Sequence, residues 1–476
     1  MASVPESLSA IQEALADNSL SLVELVEHYI KKISENKDLN AFNHIYSESA
    51  LKQARDIQEK LSSGEAGKLA GLVIGIKDNI AYKDHPLTAS SKILADFKSV
   101  YNSCVVERLL EEDAIIIGNL NCDEFAMGST NETSFYGPVS NPHNKDCVPG
   151  GSSGGSAAAV SRGLCLAALG TDTGGSVRQP AAYCGVVGLK PSYGRISRYG
   201  VIAYASSFDQ VGIFSKNIDD CCSILSVIAG KDENDATSSS ETVPDYNSVI
   251  NKQQKYTVAY LKDCIEHEKV DGEIKSAFND LKKSIENSGH IVNNTNFEHT
   301  EFLVPSYYIL TTAEASSNLA RYDGIHYGHR SKNAKDLEST YTLSRTEGFG
   351  SEVKRRIMLG TFVLSSGYYD AYFTKAQKAR RVIKEATDKI LDKHDFIMLP
   401  TTTDTAFKIG EKIDDPVKMY LSDIFTVQAN LAGIPAISIP LFTHSNGMPI
   451  GVQIMSKKFN EADLLNFSQM LLKHYS

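Results

Sequence analysis

Two glycine–serine turns carry the residues best suited to chemistry. The first runs Pro149-Gly150-Gly151-Ser152-Ser153-Gly154-Gly155-Ser156 and leads into Ala157-Ala158-Ala159. The second, Gly170-Thr171-Asp172-Thr173-Gly174-Gly175-Ser176, puts Ser176 24 positions (176 − 152) beyond Ser152. Glycine lets a backbone turn sharply and come close to a ligand. The amides of Thr173, Gly174 and Gly175 are then placed to stabilise an oxyanion beside Ser176. Two other readings compete with serine nucleophiles. A phosphate-binding P-loop needs Gly-Lys-Ser/Thr opening its helix, and here Gly155-Ser156-Ala157 stands instead. A flexible Gly/Ser linker would not be flanked by an Ala-rich helical pattern and an apolar strand.

A serine nucleophile needs a base. His143 is the histidine nearest in sequence, and a Ser-His reading rests on that proximity alone. The other candidate is Lys77, in Gly75-Ile76-Lys77-Asp78-Asn79 after the apolar run Leu72–Ile76. A lysine at the end of a buried strand is desolvated, so part of it stays neutral and can accept a proton. The competing reading is a snorkelling lysine that reaches water or pairs with Asp78.

The elements that must position these groups alternate between strand and helix. Ser21-Leu22-Val23-Glu24 predicts a capping box, followed by Val23, Val26, Ile30 and Ile33 at helical spacing. Leu72–Ile76, Ala114–Gly118 and Cys165–Leu169 read as buried strands. Helical stretches separate them, which favours a mostly parallel sheet covered on both faces. The polar stretch from Lys231 through Ser238-Ser239-Ser240 reads as a surface loop or a sub-module boundary near 231–256. Strand–helix alternation resumes at Val258-Ala259-Tyr260. A mainly helical region follows over about 305–393, with Tyr307, Ala313, Leu319, Met358, Leu364 and Tyr368 among its apolar positions. Phe396–Leu399, Ala436–Ile439 and Gly451–Ile454 return to strand, and a helix over about 461–474 closes the chain.

Composition narrows the class of function. The 476 residues carry a formal net charge of −10, which argues against a chain whose main task is to grip nucleic acid. No Lys or Arg precedes Lys31, and no apolar run approaches the ~18 residues of a membrane span. The eight cysteines form no C-x-x-C pair and read as reduced, packed thiols, so the expected compartment is the cytoplasm. His326-Tyr327-Gly328-His329 lacks a third metal ligand nearby, so no metal site is expected. Lys378-Ala379-Arg380-Arg381 reads as the solvated face of a helix, with RNA contact as the alternative.

The stretches Gly150–Ser156 and Thr171–Pro180, together with Lys77 in Gly-Ile-Lys-Asp, resemble the amidase signature family. Three separated motifs agree in order and distance, and the resemblance covers essentially the whole chain. Asp123-Glu124-Phe125-Ala126-Met127-Gly128-Ser129, Gly188–Arg195 and Arg355–Thr361 resemble more narrowly the glutaminase subunits of tRNA-dependent amidotransferases. Two positions depart from that pattern. Asn119 stands where the family commonly has lysine after Gly118, and Ile213 where it commonly has proline after Gly212.

The resemblance implies one domain over 1–476, an α/β/α sandwich around a large mixed sheet. It implies that Ser176 attacks an amide carbon while Ser152, joined through a cis peptide bond, relays a proton to Lys77. Thr173, Gly174 and Gly175 would supply the oxyanion hole. Tyr307 would contact glutamine, Arg356 would bind its carboxylate in two-pronged fashion, and Asp423 would hold its ammonium. Without the resemblance, Arg356 reads as a solvated helix charge and Asp423 as a surface or capping aspartate. The resemblance further implies a heterotrimer with subunits B and C, the former holding most of a mischarged tRNA. ATP and Mg would be used by that partner, with no cofactor in this chain. Two alternatives remain at this point: a free-standing amidase on small or aryl amides, and a non-catalytic subunit that keeps the fold.

Overall fold

The computed structural model describes residues 4–411 and 423–475. Eleven strands form one sheet: β1 (Phe42–Ile45), β2 (Val73–Lys77), β3 (Ile115–Leu120), β4 (Ala167–Asp172), β5 (Val187–Lys190), β6 (Gln210–Ser215), β7 (Thr257–Leu261), β8 (Ile291–Thr295), β9 (Phe396–Pro400), β10 (Ala436–Thr443) and β11 (Pro449–Ser456). Their order across the sheet is β1-β3-β2-β4-β6-β5-β10-β11-β9-β7-β8. The pairs β2–β3, β2–β4, β7–β8 and β7–β9 are parallel. The remaining pairs are antiparallel. The sheet is therefore mixed rather than mostly parallel, which corrects the simpler reading of strand–helix alternation.

Every residue of β2, β3, β4, β6, β9 and β11 is buried, so both faces of the central sheet are covered. This is the α/β/α arrangement that the resemblance implied. The strands made by the last third of the chain lie inside the sheet. β10 pairs with β5, and β11 joins β10 to β9. That interleaving brings segments hundreds of residues apart to one edge of the strands.

Local signals explain where the elements start. Ser21 Oγ accepts the Glu24 N–H at 3.2 Å, and Glu24 Oε2 accepts the Ser21 N–H at 3.0 Å, so the capping box forms and opens the Leu22–Glu35 helix. Its buried seam is Leu22, Leu25, Val26, Tyr29 and Ile33; Val23 and Ile30 lie beside the seam, only partly covered. The helical region resolves into Thr300–Asn318, Leu337–Gly348, Ser351–Val363 and Lys375–Leu391. Met358 and Tyr368 are exposed there, 73 % and 44 %, and are not core positions. The 231–240 stretch is tied down as a loop: Asp235 accepts the Arg198 N–H at 2.8 Å and Asp232 accepts the Ser197 hydroxyl at 2.5 Å. All eight cysteines are buried free thiols. Among the described residues no helix is long and apolar enough to cross a membrane.

The Gly154–Arg162 helix begins against the sheet at a point where only glycine fits. A Cβ on Gly155 would stand 2.4 Å from the Asn121 carbonyl oxygen and 2.6 Å from that of Ala41. Both obstacles are backbone and cannot swing away. Gly155→Ala is expected to cost about 1–3 kcal/mol, as overpacking of a filled interior does. Urea or thermal unfolding of the purified variant checks this, and an unchanged midpoint would refute the steric argument.

Candidate active site

Lys77 ends β2 and is fully buried. Its Nζ donates to Ser152 Oγ at 2.7 Å, Ser153 Oγ at 2.8 Å and Thr171 Oγ1 at 3.0 Å. Burial pulls its pKa down to about 8, against the opposing pull of Cys122, Asp123, Asp172 and Asp209. It does not pair with Asp78. That carboxylate accepts the N–H groups of Thr88 and Ser90, the amides of Asn43 and Asn119, and the Thr88 hydroxyl. The snorkelling alternative fails on both counts.

Ser152 is also fully buried, and the Gly151–Ser152 peptide bond is cis. Its carbonyl accepts the Asp123 N–H at 3.1 Å. The neighbouring Ser153 N–H donates to the Ser176 carbonyl at 3.2 Å, so the two glycine–serine turns meet. Ser176 retains 8 % exposure, against none for Lys77 and Ser152. Its hydroxyl makes no hydrogen bond to another side chain among the described residues. His143 lies elsewhere: its Nε2 is 3.0 Å from the Cys184 carbonyl oxygen, one helix away from Ser176.

The loop that presents Ser176 is held by Asp172. Its carboxylate accepts the N–H groups of Gly175 at 2.9 Å and Val177 at 3.1 Å, and the Arg178 side chain through Nε at 3.1 Å and Nη2 at 2.9 Å. Burial alone would push this carboxyl up, but the Arg178 guanidinium holds it well below the usual carboxylate range. The Gly175 amide is thus engaged by Asp172, a partner that the sequence reading did not give it. Gly175 has φ +133°, and a Cβ there would stand 2.3 Å from Thr426 Oγ1, so this position requires glycine.

Of the three residues expected to recognise substrate, Tyr307 packs on the same loop, and Tyr308 beside it links Asp423 to Arg356. Tyr307 lies on the Thr300–Asn318 helix with its hydroxyl end against Gly174, where an added Cβ would meet Oη at 2.5 Å. Tyr308, next along, donates its hydroxyl to Asp423 Oδ2 at 2.8 Å. Ser129 Oγ lies 2.9 Å from the same oxygen. Burial raises Asp423 to about 6, with Tyr308, Ser129 and Arg356 pulling down. Arg356 is 2 % exposed rather than solvated. Its Nε donates to Glu352 at 2.8 Å, its Nη1 to the Tyr204 hydroxyl at 2.9 Å, and its guanidinium lies 5.3 Å from the centre of the Tyr308 ring. The Tyr308 side chain therefore touches both the buried cation and the buried anion.

Sequence reasoning missed Ser153 and Thr171 as Lys77 partners, and Ser129, Tyr308, Glu352 and Tyr204 around the recognition pair. Only Glu352 left a local trace, four residues before Arg356 on one helix. Other motifs resolve into structure. His326 meets Asp323 at 2.7 Å and His329 meets Glu347 at 2.8 Å. Arg380 stacks 4.0 Å from the Phe208 ring centre and donates to the carbonyls of Ser207 and Leu431, so of that run Lys378 and Arg381 are the solvated helix charges.

The chain is similar to known proteins over nearly its whole length. Residues 24–465 match the Amidase family. The A subunit of glutamyl-tRNA(Gln) amidotransferase from Chlorobaculum parvum is 48 % identical over 463 residues, covering 97 % of this chain and 96 % of that one. The protein of the same name from Legionella pneumophila strain Paris is 48 % identical, covering 98 % and 97 %. The crystal structure of the same protein from Thermotoga maritima aligns with a TM-score of 0.79 at 38 % identity, covering 96 % of this chain and 93 % of that one. Its family match spans nearly all of its length and its relatives align end to end, so the chain belongs to the amidase signature family.

Proposed function

We propose that this chain is the glutaminase subunit of a tRNA-dependent amidotransferase. The observation that carries the chemistry is Lys77, buried with no carboxylate partner among the described residues and bonded to Ser152. Ser176 Oγ attacks the side-chain amide carbon of glutamine. Its proton passes to Ser152, whose own proton passes to neutral Lys77. The oxyanion forms against the amides of Thr173 and Gly174, the Gly175 N–H expected beside them being held by Asp172. On collapse the proton returns through Ser152 to the departing nitrogen, which leaves as ammonia. Water then cleaves the glutamyl ester on Ser176 and releases glutamate.

The buried pair Arg356 and Asp423 favours glutamine over a simple amide, because glutamine carries a carboxylate for one and an ammonium for the other. A free-standing amidase would need the relay but not this pair. On our reading the chain joins subunits B and C in a heterotrimer. The ammonia goes to the B subunit, which would use ATP and Mg to amidate Glu-tRNA(Gln), and Asp-tRNA(Asn) where it serves both. This chain would need no cofactor of its own, and the assembly would work in the cytoplasm.

Ser176→Ala and Lys77→Ala are expected to lower glutamine hydrolysis by at least ~10³-fold, read as ammonia release. Normal turnover by either would sink the mechanism. Arg356→Lys keeps the charge but loses the planar fork, so KM for glutamine is expected to rise about tenfold with kcat little changed. An unaltered KM would remove Arg356 from recognition. The pH profile follows from the two shifted groups. Lys77 must be neutral to accept a proton, so kcat/KM rises with pH and levels off above about 8. Asp423 must be charged, so KM rises as pH falls through about 6. A flat profile between about pH 6.5 and 8.5 would contradict the neutral-lysine step.

A further inference from the structure

The helix that carries Arg356 has no cap of its own. Ser351–Val363 is preceded by Gly350, which offers no side chain, and its third residue is Val353 rather than a glutamate that could reach back. The missing bond comes from far away in sequence. Glu124 Oε2 accepts the Gly350 N–H at 2.8 Å, across 226 residues. This is the bond that the acidic member of a capping box makes from inside a helix, and it sets a carboxylate at the positive end of the helix dipole. Glycine at 350 permits the approach, since a Cβ there would stand 2.4 Å from Glu124 Oε2.

Glu124 is itself fixed. It is 3 % exposed, and its other oxygen accepts the Ser91 hydroxyl. Burial pushes its carboxyl up to about 7, while Ser91, Gly350 and Lys354 pull the other way, so its charge depends on these donors. The residue before it belongs to the catalytic side. The Asp123 N–H donates to the Ser152 carbonyl, and the Asp123 carboxylate accepts the N–H groups of Asn131 and Thr133. Five residues beyond Glu124, Ser129 bonds Asp423. One short segment therefore touches the relay serine, the recognition carboxylate and the start of the recognition helix.

We infer that Glu124 is a positioning residue for substrate recognition: by capping the Ser351–Val363 helix it sets where Arg356 stands relative to Ser152 and Asp423. Glu124 touches neither substrate nor reacting atoms. Its effect passes through helix placement, and therefore falls on binding of the amino-acid head rather than on the relay. The inference rests on the glutaminase reading.

Glu124→Gln in the full chain tests it, because glutamine keeps the shape and removes the charge. KM for glutamine is expected to rise about tenfold while kcat stays within about threefold. Labelling of Ser176 by a small sulfonyl fluoride, which has no amino-acid head, should keep its wild-type rate. Ser91→Ala removes only the hydroxyl donor to Glu124. It should move KM in the same direction by less, and it serves if Glu124→Gln does not fold. An unchanged KM in the folded variant overturns the inference. So does a fall in kcat and in labelling with KM unchanged, which would mean that Glu124 supports the relay instead. If the wild-type protein does not hydrolyse glutamine, the glutaminase reading falls first. If it does, and Ser176→Ala abolishes the activity, an unchanged KM counts against Glu124 alone.

Discussion

A single buried carboxylate, Asp172, decides where Ser176, the proposed nucleophile, stands. It sits at the end of β4, where the chain leaves the sheet, and gathers the amides of the next turn around itself. Burying a charge costs several kcal/mol per ion unless the geometry is good and its lone pairs are met. Here they are met by backbone N–H groups, by Asn430 and by two nitrogens of Arg178. Arg178 then donates to the Thr426 carbonyl, to Gln453 and to the Asn430 side chain. The pair thus ties the Ser176 turn to β11 and to the Val427–Ala432 helix. Asp423 lies just ahead of that helix, and its carbonyl accepts the hydroxyl of Thr426, which also bonds the Gly174 carbonyl.

The proposed relay depends on which partners a buried lysine is given. Lys190 is as buried as Lys77, and burial lowers it to about 7. Titration alone would rank the two together. Their neighbours differ in kind. Lys190 donates to the carbonyls of Pro191 and Ile434 and to the side-chain oxygen of Gln210. Those groups accept only, so no proton can travel through them. Lys77 donates to three hydroxyls, each of which can accept one proton while releasing another. A carboxylate in hydrogen-bond contact would have stabilised the ammonium and closed the route. Asp78 is next in sequence, yet it is turned onto neutral donors.

How far sequence could reach follows from the range of each interaction. The central strands were legible because a strand buried on both faces must be a short apolar run, and β2, β3 and β4 begin within two residues of the runs that mark them. β1 and β8 gave no such run. They are the sheet edges, and Asn43, His44, Asn293 and Asn294 occupy them because one side meets water or loops. β10 meets β5, and β11 meets β9, in antiparallel pairs that exist only after folding, so the mixed sheet left no local mark. The glycine–serine turns were legible because their conformations demand glycine. Ser129 and Tyr308 were not, since an isolated serine or tyrosine gains its role only when Asp423 arrives from 294 or 115 residues away.

The two departures from the family pattern lie where neighbouring groups absorb them. Asn119 Nδ2 donates to Asp78 Oδ1 at 2.6 Å and lies 3.1 Å from the Pro86 carbonyl oxygen. A neutral amide does there what a lysine could do with charge. Asp78 lies next to Lys77 in sequence, so a cation bonded to it would add a like charge to the neighbourhood of the relay lysine and lower that lysine further. The amide satisfies Asp78 without that effect. Ile213 lies in β6 between Leu169 of β4 and Leu189 of β5, fully buried. Proline in a central strand removes a ladder donor and is tolerated only where that N–H has no partner. Isoleucine keeps the N–H and fills the same apolar layer with a β-branched side chain that suits a strand. Both substitutions leave Lys77, Ser152 and Ser176 where the Asp172–Arg178 pair and the buried hydroxyls hold them.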